Sequence, residues 1–342
     1  MAAPNLQVEQ LTDGVSAEIV TALETLADVA QKTDGAPPFS EQTLVELHQA
    51  ARLTAEQEDA PSPVALVLAW ITGEEEPELA GAGVVVLGSR ESDPENPRGE
   101  TEPDVLELVV HPEHRRRGVA TALAESLSAT LLSPDSGGVY RAWAHGGHEG
   151  GPALAQRFDW TPARELWRMR LENSVELPER LLPEGVRIRS FVPGEDNEAW
   201  LHANAAAFAD HPEQGRLTEE DLQARIDADW FSAEGFLLAE DTETGELLGY
   251  HWTKIPPAEA GEERLGEVYV VGVTPAAQGR GLGAALTLAG LKHLREKGVD
   301  AIILYVDASN TPAAQLYKKL GFTVWDVDTQ YEPLITSTAE PS

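Results

Sequence analysis

The sequence predicts two tandem domains of one α/β fold, and three observations carry that prediction. An apolar run over 268–273 leads into Gln278-Gly279-Arg280-Gly281-Leu282-Gly283-Ala284 and then into an apolar-periodic segment over 284–294. That is the order strand, glycine-rich turn, helix. A second copy of the pattern stands 163 residues earlier: Leu108-Val109-Val110-His111-Pro112 precedes Arg115-Arg116-Arg117-Gly118-Val119-Ala120 and an apolar helix. At this offset Gly118 meets Gly281, Arg117 meets Arg280, Val110 meets Val273 and Pro112 meets Pro275, the self-similarity of a duplicated unit. Finally, Pro178, Pro183 and Gly185 punctuate a stretch without helical periodicity. A linker over 173–185 is therefore expected, between a domain over 1–172 and one over 186–335.

In the second copy, 186–192 reads as a strand and 196–208 as a helix. Thr218-Glu219-Glu220-Asp221 has the form of a capping box ahead of a helix ending near Trp230. Strands over 236–239 and 247–254 flank Thr242-Glu243-Thr244-Gly245, a hairpin signal. The central strand is expected over 267–273 and the helix behind the glycine turn over 281–297, closed by Gly298. A buried strand over 301–306 follows. Next comes a short helix over 312–320, with Pro312 at its first position and Gly321 just past its end, and then a strand over 322–327. The first copy repeats this order with a longer acidic loop over 74–78 and a polar excursion over 89–104.

Composition narrows the chemistry. The chain has 342 residues, 42% of them apolar, enough for two cores and with no run of membrane-spanning length. The N-terminus lacks a basic-then-apolar leader pattern, so a soluble, cytoplasmic protein without membrane partners is expected. Cysteine is absent, which excludes disulfides, thiolate metal sites and cysteine nucleophiles. The formal net charge of −33 speaks against nucleic acid as a partner, since phosphate contacts need clustered Lys and Arg. No serine-centred nucleophile motif and no metal-ligand constellation is read, so no metal is expected. His211 and His251 are read as structural. A monomer is expected.

The glycine turn itself points to a ligand. It leaves backbone N–H groups unpaired at the positive end of a helix, where a pyrophosphate can sit. Gly279, Gly281 and Gly283 let the backbone approach closely, and Arg280 adds charge. The plain alternative is a tight turn without ligand.

Together with Asn310, Ala313, Leu316, Tyr317, Gly321 and Phe322, this turn resembles the signature of the GNAT superfamily of N-acetyltransferases. The resemblance implies an α/β (α+β) architecture: two tandem GNAT domains, each a mixed, mostly antiparallel sheet flanked by helices. It implies acetyl-CoA as co-substrate. In the second domain acetyl-CoA would be held by Val271, Gly272, Val273, Gln278, Gly279, Arg280, Gly281, Leu282, Gly283 and Ala284, and by Asn310, Ala313, Ala314 and Gln315. In the first domain Leu108, Val109, Val110, Arg115, Arg116, Arg117, Gly118, Val119 and Ala120 would form the matching cradle. The Val273 N–H would polarise the acetyl carbonyl, with Gly272 letting the strand bulge there.

Glu267 would act as general base through water; it is otherwise an acidic residue among many. An α-amine has a pKa of about 7.7–8.0, so a modest acceptor suffices. Tyr317 would return a proton to the departing thiolate, as a phenol with a pKa of about 10 can, or it is a core tyrosine beside Phe322.

Residues 208–215, His251-Trp252-Thr253-Lys254, 266–273 and Thr33-Asp34-Gly35 more narrowly resemble a two-domain branch of the superfamily. Its members acetylate the cysteine amine of a cysteinyl-glucosaminyl-inositol. That resemblance implies Asp34, Glu213, Lys254, Glu267 and Tyr305 as acceptor-binding residues. Tyr305 has a second reading, as a packed strand residue.

In the first copy, alignment puts Ala155 where Tyr317 stands and Asp104 opposite Glu267. The first domain is thus expected to bind acetyl-CoA without catalysing transfer. Two other readings stay open: an acetyltransferase for another small-molecule or peptide amine, and a non-catalytic acetyl-CoA sensor.

Overall fold

The computed structural model describes residues 5–12, 14–56, 62–73, 76–88, 103–130, 139–209, 214–258 and 261–334. The chain divides into two compact units, Met1–Leu166 with Asp326–Ser342, and Trp167–Trp325. The stretch expected as a linker lies inside the second unit. There Val175 and Leu177 pack on the core, and Arg295 Nη2 donates to the Val175 carbonyl at 2.7 Å. Among the described residues no helix is long and apolar enough to cross a membrane.

In the first unit the elements run β1 (Asn5–Leu11), α1 (Ala17–Asp34), α2 (Glu41–Glu56), β2 (Val64–Thr72), β3 (Glu78–Val86), β4 (Asp104–Val110), α3 (Val119–Thr130), β5 (Tyr140–Ala144) and α4 (Gly150–Arg157). The first residues of β6 (Trp160–Glu172) and the last residues of β12 (Thr323–Pro333) also belong to this unit. Strand order is β1-β2-β3-β4-β5-β12; β4 and β5 are parallel, and β1–β2, β2–β3, β3–β4 and β5–β12 are antiparallel. Strand β2 shows why the sheet is covered on both faces. Val64, Leu66 and Leu68 enter the core beneath α1 and α2, while Ala65, Val67 and Ala69 enter the one beneath α3. Helix α1 starts at Ser16, whose side chain accepts from the Ile19 N–H, and stops at Gly35 with φ +78°.

The second unit repeats the plan with β7 (Val186–Ser190), α5 (Asn197–Ala207), α6 (Glu219–Ile226), β8 (Phe236–Asp241), β9 (Leu247–Lys254), β10 (Leu265–Val273), α7 (Leu282–Glu296), β11 (Ala301–Asp307) and α8 (Thr311–Lys319). Strand order is β7-β8-β9-β10-β11-β6, with β10 and β11 parallel. The sheet is mixed and mostly antiparallel in both units. Helix α6 carries the expected capping box: Thr218 accepts from the Asp221 N–H and Asp221 from the Thr218 N–H. The helix ends at Ile226, earlier than the expected Trp230.

Four aromatic residues anchor the second core. Trp200 on α5 meets Phe236, Tyr250 and Trp252 edge-on, each at 5.5 Å between ring centroids. On the other face α7 carries Gly290, where a Cβ would overlap the ring of fully buried His251. His251 Nδ1 lies 2.9 Å from the Leu286 carbonyl. Burial lowers its pKa to about 4 against the raising effect of that bond, so it is a neutral packing residue.

Candidate active site

The site of the second unit begins where two strands part. Strand β10 pairs with β11 from Leu265–Ala301 to Val268–Leu304, and the register stops there, although β10 continues to Val273 and β11 to Asp307. On its other edge β10 stays paired with β9 as far as Val273–Gly249. The Thr274 N–H donates to the Leu248 carbonyl at 3.0 Å, on the β9 side. Alternation along the strand therefore turns the Val273 N–H the other way, to the edge that β11 has left. The Val273 carbonyl, on that same edge, accepts from Gln278 Nε2 at 3.3 Å.

The expected bulge is real but displaced. It falls at Tyr269, where the register shifts between Val268 and Val270, and not at Gly272. Gly272 has a different job. A Cβ there would come within 2.6 Å of the Tyr250 ring, which lies across the strand with its hydroxyl on Asn204 Oδ1 at 2.5 Å. The bulge also corrects the alignment between units. Counting along the ladder from Gly249–Val273 and from Gly81–Val110, the residue of β4 in the register of Glu267 is Val105, not Asp104. Glu107 falls in the register of Val270.

Beyond Val273 the chain turns through Pro275–Ala277 into the glycine loop. Gly279 and Gly281 have φ of +76° and +77°, the left-handed region that glycine adopts without strain. Gly281 is the N-cap of α7 and gives no side-chain cap, so the first-turn N–H groups face outward. A Cβ at Gly283 would lie 3.6 Å from Val273 Cγ2, which sets how closely helix and strand approach. Arg280 donates to the Glu184 carbonyl at 3.3 Å. Leu282 is buried beneath the loop, and Ala284 and Val271 are half-buried. At the start of α8, Asn310 Oδ1 accepts from the Ala313 N–H at 3.2 Å. Ala314 is buried and Gln315 exposed.

Glu267 stands across the ladder from Lys254, which is buried with its Nζ 5.1 Å from the Trp230 ring and 5.3 Å from the Tyr269 ring. Tyr269 is fixed in turn by Arg225 Nε, which donates to its hydroxyl at 3.0 Å. Trp230 and Tyr269 were not anticipated; a strand lysine near two aromatics is the signal that could have found them. Tyr305 is the first residue of β11 past the registered pairs and is 41% exposed. Tyr317 packs edge-on against Phe322 at 5.7 Å. Its hydroxyl has no hydrogen bond among the described residues, and burial pushes its pKa up to about 12. It is therefore both a packing ring and a phenol that stays protonated. Glu213 and His211 lie outside the described residues.

A cavity of about 220 Å³ in this unit is lined by Trp230, Ser232, Thr253, Ile255, Arg264, His293 and Lys297. His293, in the last turn of α7, and Lys297, its C-cap, lie about 16 Å or more along the helix from Leu282.

The first unit keeps the loop and changes the chemistry. Arg116 and Gly118 have φ of +63° and +88°, at the places of Gly279 and Gly281. A left-handed arginine costs about 1 kcal/mol that a glycine would not. Arg115 is committed: Nε donates to the Val110 carbonyl at 3.2 Å, and Nη1 and Nη2 donate to Asp34 at 2.6 and 2.7 Å. That joins two expected ligand residues to each other. Leu108 and Val110 are half-buried, Val109 and Val119 buried, Ala120 half-buried and Arg117 exposed. Ala155 lies three residues before the C-cap of α4, as Tyr317 does in α8.

On the central strand, buried Glu107 takes His145 Nε2 at 2.8 Å and the Ser40 N–H at 2.9 Å, and Asp328 takes His145 Nδ1 at 3.1 Å. Burial disfavours the charged imidazole, but the bonds to Asp328 and Glu107 outweigh it and raise its pKa to about 10. Elsewhere in the first unit, the ligand atoms of Glu78, His111 and His114 lie within 4.8 Å of one another, a grouping that no sequence spacing marks. His111 Nδ1 accepts from the Glu113 N–H at 3.3 Å.

The acetyltransferase (GNAT) family model matches residues 29–155 and again 200–322. A mycothiol acetyltransferase of Paenarthrobacter aurescens is 48% identical over 337 residues, covering 96% of this chain and 97% of its own. One from Thermobispora bispora is 47% identical, covering 91% of this chain and 94% of its own. Among solved structures, a tandem GNAT protein from the clavulanic acid biosynthesis pathway superposes with a TM-score of 0.63 at 20% identity, covering 96% of this chain and 98% of its own. A GCN5-related N-acetyltransferase from Sphaerobacter thermophilus gives 0.61 at 24% identity, covering 95% and 97%.

Proposed function

The chain belongs to the acetyltransferase (GNAT) family, and from that premise we propose that it is a mycothiol synthase. It would transfer acetyl from acetyl-CoA to the cysteine amine of cysteinyl-glucosaminyl-inositol, the closing step of mycothiol biosynthesis. The observation that carries the proposal is the parting of β10 from β11 after Val268, beside a helix N-terminus with no side-chain cap. A diphosphate fits that end of α7, because outward N–H groups and the helix dipole both favour an anion. A pantetheine arm fits the gap between the strands, since a strand edge with free N–H groups can bond an extended amide chain.

Each residue then has a task. The Val273 N–H would donate to the acetyl carbonyl, where negative charge develops. Glu267, across the ladder from Lys254, would accept the amine proton, directly or through water. Tyr317, with its pKa held near 12, would return a proton to the leaving thiolate. Lys254, Tyr305 and Glu213 would bond the polyol hydroxyls. The first unit would bind acetyl-CoA on its repeated loop without transferring acetyl, since it has Val105 and Ala155 where Glu267 and Tyr317 stand.

The test is thiol release from acetyl-CoA with cysteinyl-glucosaminyl-inositol set against a panel of other primary amines. A kcat/KM at least about 100-fold higher for the former, some 3 kcal/mol of discrimination, is expected. Equal turnover of unrelated amines would overturn the acceptor assignment.

A further inference from the structure

We propose that Arg180, in the segment that leads into β7, is a positioning residue for the phosphates of coenzyme A on the second unit, an inference that rests on the acetyl-CoA reading above. Two observations meet at this side chain. Its guanidinium lies over the N-cap of α7, so closely that a Cβ on Gly281 would run into Nη2. The same guanidinium has neither a hydrogen bond nor an ion pair among the described residues.

Its neighbours show the contrast. Arg187 and Arg189 are held by Glu240, and Arg189 also by Asp196. Arg280, the expected charge of the glycine loop, is turned to the Glu184 carbonyl. Arg180 is thus the guanidinium left beside the outward N–H groups of α7. A planar fork of donors next to a helix N-terminus suits a phosphate, which accepts charge-assisted bonds from both at once. The placement also gives Gly281 a second reason to be glycine besides its φ of +77°. No local pattern marks Arg180, which lies about 100 residues before the loop it serves, inside a stretch with the composition of a linker.

Coenzyme A offers two phosphate sources, the diphosphate and the ribose 3′-phosphate. Steady-state kinetics of the intact chain, at saturating acceptor, separates them. The co-substrates are acetyl-CoA and acetyl-dephospho-CoA, and the variants are Arg180→Gln and Arg180→Lys. R180Q is expected to raise the KM for acetyl-CoA about tenfold, the worth of one charge-assisted contact, with kcat within about twofold. R180K should recover part of the loss. If Arg180 meets the diphosphate, R180Q raises KM by the same factor for both co-substrates. If it meets the 3′-phosphate, the factor disappears with acetyl-dephospho-CoA. Either pattern supports the assignment. Unchanged KM in R180Q, or a fall in kcat alone, overturns it while leaving the transferase reading intact. A wild-type chain that turns over no acetyl-CoA removes both.

Discussion

Glu267 on β10 stands opposite Lys254 on β9, and the ammonium of Lys254 lies 5.1 and 5.3 Å from the ring centroids of Trp230 and Tyr269. Contact with two aromatic rings holds the lysine charge in place on the face of the sheet that its ladder partner Glu267 shares. Glu267→Gln should therefore lower kcat about 100-fold at neutral pH, the usual scale for a lost general base. The defect should shrink above about pH 8, where the amine loses its proton unaided. A pH–rate profile of the variant checks this; a defect independent of pH would assign Glu267 a binding role.

Tyr317→Phe should lower kcat by about 100-fold or more, with little change in either KM. Stability should hardly move, because the ring packing on Phe322 is kept and the hydroxyl has no bond to lose among the described residues. Since burial holds the phenol near a pKa of 12, the wild type should show no alkaline loss of kcat below about pH 10 from this group. Measured kcat across that range decides it.

Gly290→Ala tests packing against helix propensity. Alanine in mid-helix normally gains about 1 kcal/mol over glycine. Here the methyl meets the His251 ring, which is fully buried and bonded to Leu286. Overpacking at about 3 kcal/mol should win, for a net loss of about 2 kcal/mol in chemical denaturation. A gain in stability would show that the ring has room to move.

His145 makes the first unit sensitive to alkali. Its pKa is about 10 when folded, above its unfolded value of about 6.5. The stabilisation is therefore complete below about pH 6.5 and drains away as pH rises toward 10. Between pH 7.5 and 9.5 the unit should lose roughly 1–3 kcal/mol, a loss absent in His145→Gln. Denaturation midpoints at the two pH values, in both proteins, provide the comparison.

Local chemistry was legible in the sequence, and pairing was not. The glycine loop, the capping box of Thr218 and Asp221, the hairpin before Lys254 and Pro312 in the first turn of α8 each depend on neighbours a few residues away. Their side chains or φ values had to be what they are. The bulge at Tyr269 depends on the register between β9 and β10, which no local pattern fixes, so the expectation fell on the nearest glycine and the alignment of Glu267 slipped by one residue. The same limit hid Glu107, His145 and Asp328, which meet only because a strand from the chain's far end returns to the first unit. It also hid Asp34 bound to Arg115, 81 residues apart.

The most direct test of the central claim follows acetyl from acetyl-CoA in the presence of cysteinyl-glucosaminyl-inositol, for the wild type and Tyr317→Phe side by side. Product N-acetylated on the cysteine amine, formed one-to-one with free coenzyme A thiol and nearly lost in the variant, is the expected result. Acceptor recovered unmodified, or a variant as fast as the wild type, would contradict it.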